Sequence, residues 1–202
     1  MRLIAALLSI FMLFSFTQTP AIAASFSDTK GTMHDVHISE LNDRGLIGGY
    51  PDGTYRPNNS LTREQAVRLI GRYIVKEGYK YPEDFATDAR FEDVSLKSDV
   101  ELLQLSSMLY EEGVFAGDNG YLNPKSHMQR QHMALVLVRI LKDFANVNLI
   151  DEAQQAGYKT KFTDLGNLND STAQAITALE YAGIASGNQF NPTKAITRGE
   201  FA

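Results

Sequence analysis

The sequence predicts an all-α protein built from three helix–loop–helix repeats, and two observations carry that prediction. First, three ordered features recur three times. They are a Phe-x-Asp step (Phe26/Asp28, Phe91/Asp93, Phe162/Asp164), a pentapeptide bracketed by glycines (Gly45–Gly49, Gly113–Gly117, Gly183–Gly187), and a proline with an arginine six residues on (57 to 63, 124 to 130, 192 to 198). The copies start 65 and 71 residues apart (91−26 and 162−91). A repeat of this period is one supersecondary unit that cannot bury its apolar face alone, so stacked copies share a core. Second, the apolar residues between these features keep helical i, i+3, i+4 spacing, and no strand longer than about three residues is secure.

The elements follow in chain order. Residues 1–23 read as a secretory signal peptide: Arg2, then a 14-position apolar run from Leu3 to Phe16 interrupted only by serines, then an Ala21-Ile-Ala23 site with cleavage after Ala23. The apolar run is short of the ~20 residues that span a bilayer, so no transmembrane segment is expected after cleavage.

Repeat 1 covers 26–78. It has a helix over 33–44, with Ile38 and Leu41 on one face, stopped at Gly45. Pro51-Asp52-Gly53 is turn chemistry. Pro57 and Asn58 should extend the chain, since residues before proline avoid the helical region. Ser60 or Thr62, with Asn59 weaker, caps a helix over 62–76. Ala66, Leu69, Ile70, Tyr73 and Ile74 make the apolar face of that helix. Residues 79–90 read as a polar linker.

Repeat 2 covers 91–144. Leu102, Leu105, Met108 and Leu109 mark its first helix, ending at Gly113. Its second, 128–144, is apolar on nearly all sides and should be buried and central. Residues 143–161 form a longer connection with a short helix near 149–156. Repeat 3 covers 162–202. Ala175, Ile176, Leu179 and Ala182 form a helix face, and the chain ends at Ala202, inside the motif that launches a second helix. Repeat 3 is thus about a dozen residues shorter than the others, and the sequence is expected to be a fragment of a longer protein.

The formal net charge is −5, or −6 once a leader containing Arg2 is removed, which argues against nucleic acid as a general partner. With zero cysteines there is no disulfide, thiolate metal site or cysteine nucleophile. No serine-hydrolase elbow, zinc-protease pair, phosphate loop or dinucleotide fingerprint is present, so no enzyme and no cofactor are expected. His34/His37 and His127/His132 lack a third ligand in fixed spacing, so no metal is expected either.

The three terminal motifs read Thr62-Arg63-Glu64-Gln65, Gln129-Arg130-Gln131-His132 and Thr197-Arg198-Gly199-Glu200. With the Phe-x-Asp steps, glycine turns and aromatic-x-Pro segments, they resemble the S-layer homology family, whose repeat ends in a T-R-A-E helix. The resemblance covers nearly all of residues 26–202 in three tandem copies. It implies a pseudo-threefold, three-pronged module with grooves between the prongs. It also implies non-covalent anchoring of an exported protein to the cell wall through secondary cell-wall polysaccharide, often pyruvylated. The implied location is the cell wall or S-layer of a bacterium of Gram-positive type. The alternative is an envelope helical-repeat module that binds peptides in the same grooves.

Arg63, Arg130 and Arg198 hold the one polar position identical in all three terminal motifs. A guanidinium is a fixed fork that matches a carboxylate, such as that of a pyruvate ketal. The competing reading is a helix arginine paired with a neighbouring carboxylate. Asp28, Asp93 and Asp164 read as Asx-turns or N-caps, or else as acceptors for sugar hydroxyls. Gly49, Gly117 and Gly187 are turn residues that would also let backbone N–H groups approach a glycan. Tyr55, Leu122 and Phe190 share a position and read as core. In the resembling family the motif's fourth residue is glutamate. Only Glu200 matches it, so Arg198 is expected to be the best-supported site if that glutamate orients the arginine beside it.

Overall fold

The computed structural model describes residues 26–97 and 99–202, so the leader and its Ala23 cleavage site lie outside the described residues. Seven helices are present among them: α1 Asp35–Asp43, α2 Arg63–Lys76, α3 Val100–Glu111, α4 Arg130–Ala145, α5 Leu149–Gln155, α6 Asp170–Tyr181 and α7 Arg198–Phe201. Only isolated β-bridges accompany them, so the protein is all-α. No helix among the described residues is long and apolar enough to cross a membrane.

Local chemistry sets the helix ends. Thr62 caps α2 and Thr197 caps α7, each in a capping box closed by the side chain two residues after the arginine, Gln65 or Glu200. Gln129 at the start of α4 makes no side-chain cap, its Oε1 accepting instead from Gln131 Nε2 at 2.7 Å, and His132 cannot close a capping box because it stands where the box needs Gln or Glu. At the end of α3, Gly113 takes φ 69° and its N–H reaches Tyr110 O, while Val114 N–H reaches Leu109 O. This is the Schellman arrangement that only a left-handed residue permits.

The core lies in three groups. The largest joins α2 and α3 to Met133 and Val136 of α4. A second joins Ala134 and Val138 of α4 to α5 and α6. A third holds Ile38, Ile47 and Tyr55. Helix α4 therefore links two groups, as its all-round apolar surface predicts. Each fully buried aliphatic or aromatic side chain here is worth about 1.5–3 kcal/mol. The buried stripe of α2 is rotated from the predicted face. Val67 and Gly71 are buried, and Tyr73 is 39% exposed. A Cβ on Gly71 would sit 2.8 Å from Leu105 Cδ2, so α2 and α3 approach closely there.

Two further expectations are corrected. Residues 79–90 are not a merely polar linker: Tyr81 and Phe85 pack on the largest core group, and Arg90 bonds both Asp84 and Glu111. Pro57 and Asn58 form a turn rather than an extended arm, because Arg56 before them takes φ 59°. Asn123 (φ 54°) and Asn191 (φ 56°) do the same before Pro124 and Pro192.

The repeats are joined through the segments that precede α2, α4 and α7. Leu61 N–H bonds Ile196 O, Ile196 N–H bonds Met128 O, and Met128 N–H bonds Leu61 O, at 2.8–2.9 Å, closing a triangle. The first N–H groups of each helix, which no helix can satisfy internally, are taken by the next segment. Arg63 and Glu64 bond Ser126 O and Pro124 O. Arg130 and Gln131 bond Lys194 O and Pro192 O. Arg198 and Gly199 bond Asn59 O and Pro57 O. These helix-start bonds run from repeat 1 to 2, 2 to 3, and 3 back to 1, while the triangle runs in the opposite sense.

Candidate functional site: the arginine grooves

Each repeated aspartate clamps the loop of its own repeat. Asp28 accepts from the N–H groups of Tyr55 (2.7 Å) and Arg56 (2.8 Å). Asp93 accepts from Leu122 (2.8 Å) and Asn123 (2.7 Å), and Asp164 from Phe190 (2.9 Å) and Asn191 (2.7 Å). These are neither Asx-turns nor N-caps, because the partners lie 26–30 residues away. The clamp holds the left-handed residue before each proline and buries Tyr55, Leu122 and Phe190. Partial burial works against the charge on Asp164, but the two N–H groups and Arg130 hold its carboxyl below the usual range.

Two of the repeated glycines sit against the aromatic ring of the Phe-x-Asp step. A Cβ on Gly117 would lie 2.5 Å from Phe91 Cε1, and one on Gly49 would lie 2.3 Å from Phe26 Cε1. Gly187 is more open, with Gln189 O at 4.0 Å.

Each arginine reaches across to the next repeat's buried position. Arg63 Nε donates to Leu122 O, Arg130 Nε to Phe190 O (2.7 Å), and Arg198 Nε to Tyr55 O (2.8 Å). One nitrogen of each guanidinium is therefore structural. The remaining nitrogens differ in their surroundings. Arg198 is 6% exposed, its Nη2 reaches Gly48 O at 3.3 Å, and it lies over Tyr55 at 4.3 Å. Arg130 Nη1 pairs with Glu200 Oε1 at 3.3 Å, over the Phe190 ring at 4.8 Å. The terminal nitrogens of Arg63 meet no hydrogen-bond or ion-pair partner among the described residues, and its side chain lines a cavity of about 480 Å³. Burial lowers the pKa of Arg63, opposed by Asp118 and Asp93, and the group stays charged at any physiological pH.

Glu200 does not orient Arg198. It caps α7 and turns to Arg130 of the preceding repeat. Burial opposes its ionisation, but the Thr197 N–H and Arg130 hold its carboxyl low. The three arginines thus share one fold position but not one environment, and Arg63 fronts the open groove. Asp118, Asn123, Ser126, His127, Gln129, His132 and Arg139 supply its other polar lining. Sequence reasoning missed Arg139, whose Nη1 bonds Val114 O at 3.2 Å; nothing in its helical spacing separates it from a solvated residue.

Fold and site together define a helical repeat module that presents an arginine fork in a groove between repeats. Residues 25–67 and 161–202 match the S-layer homology domain model. The matched segments hold repeats 1 and 3; the repeat between them is the copy whose terminal motif departs furthest, with Gln129 and His132. The chain is 28% identical over 193 residues to an S-layer protein of Bacillus licheniformis, covering 91% of this chain and 20% of that protein. It is 25% identical over 166 residues to S-layer protein sap of Bacillus anthracis, covering 82% and 19%. It is 24% identical over 181 residues to an amylopullulanase of Thermoanaerobacterium thermosulfurigenes, covering 88% and 9%. The chain therefore spans a fifth or less of the length of these relatives.

Proposed function

We propose that residues 26–202 form one S-layer homology module of three repeats (26–78, 91–144 and 162–202), a pseudo-threefold, three-pronged unit that anchors an exported protein to the bacterial cell wall. The ligand in this reading is secondary cell-wall polysaccharide carrying carboxylates, such as pyruvate ketals. Cleavage after Ala23 releases the mature chain to the surface of a Gram-positive type of cell. The role is binding, not catalysis.

One observation carries the reading: Arg63, fixed through Nε, turns two unpaired N–H-bearing nitrogens to a groove of about 480 Å³. A fork held in this way presents the geometry that a carboxylate accepts bidentately. The relatives support it, since the same segments occur in S-layer proteins and in an amylopullulanase, proteins that otherwise share little length with this chain. The aspartates then act by shaping the loops, and Gly49 and Gly117 by letting the Phe-x-Asp ring pack.

The test is binding to insoluble wall by Arg63→Ala and Arg63→Lys, with thermal melting measured beside it. A hydrogen bond to a charged group contributes about 1.5–3 kcal/mol, so affinity should fall roughly 10–150-fold in the folded protein. Lysine should not restore it, because an ammonium lacks the fork. Unchanged affinity in folded Arg63→Ala refutes the assignment.

A further inference from the structure

We propose that His132 is a second, proton-linked cationic contact of the groove between repeats 1 and 2, so that an anionic ligand binds there with uptake of a proton. The inference rests on the reading above and concerns the regulation of that site.

Three observations lead to it. The residue two positions after the last arginine faces the arginine of the preceding repeat. Glu200, two after Arg198, pairs with Arg130 at 3.3 Å. His132, two after Arg130, is its counterpart opposite Arg63, and both line the same cavity. Where the second groove holds a carboxylate against its arginine, the first holds an imidazole. Next, His132 is exposed and does not cap its helix, so it is free to meet a ligand. Finally, partial desolvation, and after it the charge of Arg63, hold the imidazole below the usual histidine range, while Asp118 pulls the other way.

The titratable and charged groups that line the cavity with His132 come from each neighbouring element. Arg63 comes from α2, Asp118 from the turn after α3, His127 from the segment before α4, and Arg139 from α4 itself. In the free protein partial desolvation and the charge of Arg63 disfavour imidazolium. A carboxylate seated on Arg63 cancels that repulsion and favours it, so the histidine's pKa rises on binding. Affinity is then greatest at acid pH and falls as pH rises through the bound-state value. A ligand carboxyl is ionised throughout this range, so it adds no pH dependence of its own.

The experiment uses the full chain and, as probe, a monosaccharide bearing one pyruvate ketal. Calorimetric titration between pH 5.5 and 8 should show about three- to ten-fold weakening as pH rises, since each unit of pKa shift is tenfold in affinity. The His132 ring resonances should titrate at higher pH with the probe than without. His132→Gln should flatten the profile while retaining binding. His132→Glu should weaken binding at every pH, by imitating the Glu200–Arg130 pair. Measurable but pH-independent wild-type binding overturns this inference and leaves the anchoring role standing, as does a profile that flattens in His127→Gln and not in His132→Gln. No probe binding at any pH, together with no wall binding, overturns both.

Discussion

Replacing Asp164 measures what the loop clamps contribute. Its two oxygens accept from Phe190 N–H, partly buried, and from Asn191 N–H, exposed. Hydrogen bonds to a charged group contribute about 1.5–3 kcal/mol when shielded. The exposed bond is discounted to about 0.5–1 kcal/mol for solvent screening. Asp164→Ala should therefore cost about 2–4 kcal/mol. For a domain of this size that lowers Tm by roughly 4–15 °C. Asp164→Asn keeps one acceptor but turns its NH2 toward the other donor, so at least half the loss should remain. Differential scanning calorimetry gives Tm, and wall binding of the folded fraction is measured in parallel. A melting temperature within a degree of wild type would refute the clamp. Normal melting with lost glycan affinity would show instead that the carboxylate touches ligand.

Other expectations follow from the same geometry. Gly117→Ala should lower Tm by several degrees, because its Cβ meets Phe91 and Tyr121 O at a residue with φ 74°; unchanged melting would contradict this close approach. Residues 26–90 alone should lack a cooperative transition by circular dichroism, because Tyr55 O accepts from Arg198 and Leu61 N–H donates to Ile196 O, both in repeat 3. Glu200→Gln keeps a side chain able to cap α7, as Gln65 does for α2, while freeing Arg130; its affinity for the ketal probe should rise, and a fall would argue against an internally neutralised second groove. Acid should destabilise the fold. Arg68 holds Asp99 low, Arg72 holds Glu101 low, and Thr54 and Arg56 hold Asp52 at about 2. Depressed folded-state values give stability that is complete above the unfolded carboxylate range and lost as pH falls through the folded ones. Tm should therefore be flat above about pH 5 and drop steadily below pH 4.

The helices were legible because their signals are local. Apolar spacing placed α2, α3, α4 and α6, and Thr62, Gly45 and Gly113 marked boundaries from chemistry within four residues. Recurrence also singled out the aspartates and arginines. Their partners were not legible, because Asp164 bonds a loop 26 residues on and Arg198 bonds Tyr55, 143 residues back. A motif read along the chain pairs Glu200 with the adjacent Arg198, whereas the ring of repeats pairs it with Arg130. Left-handed Arg56 was equally hidden, since its φ of 59° is imposed by the distant carboxylate of Asp28. The departure of His132 from the terminal motif was visible, but its meaning needed the groove.

Glycan binding by residues 24–202 is read by cosedimentation with insoluble wall before and after the secondary polysaccharide is stripped. Binding to intact, protein-free wall should be saturable and should be lost once the anionic glycan is gone. Equal binding to stripped wall, or binding that requires wall proteins, would contradict glycan binding.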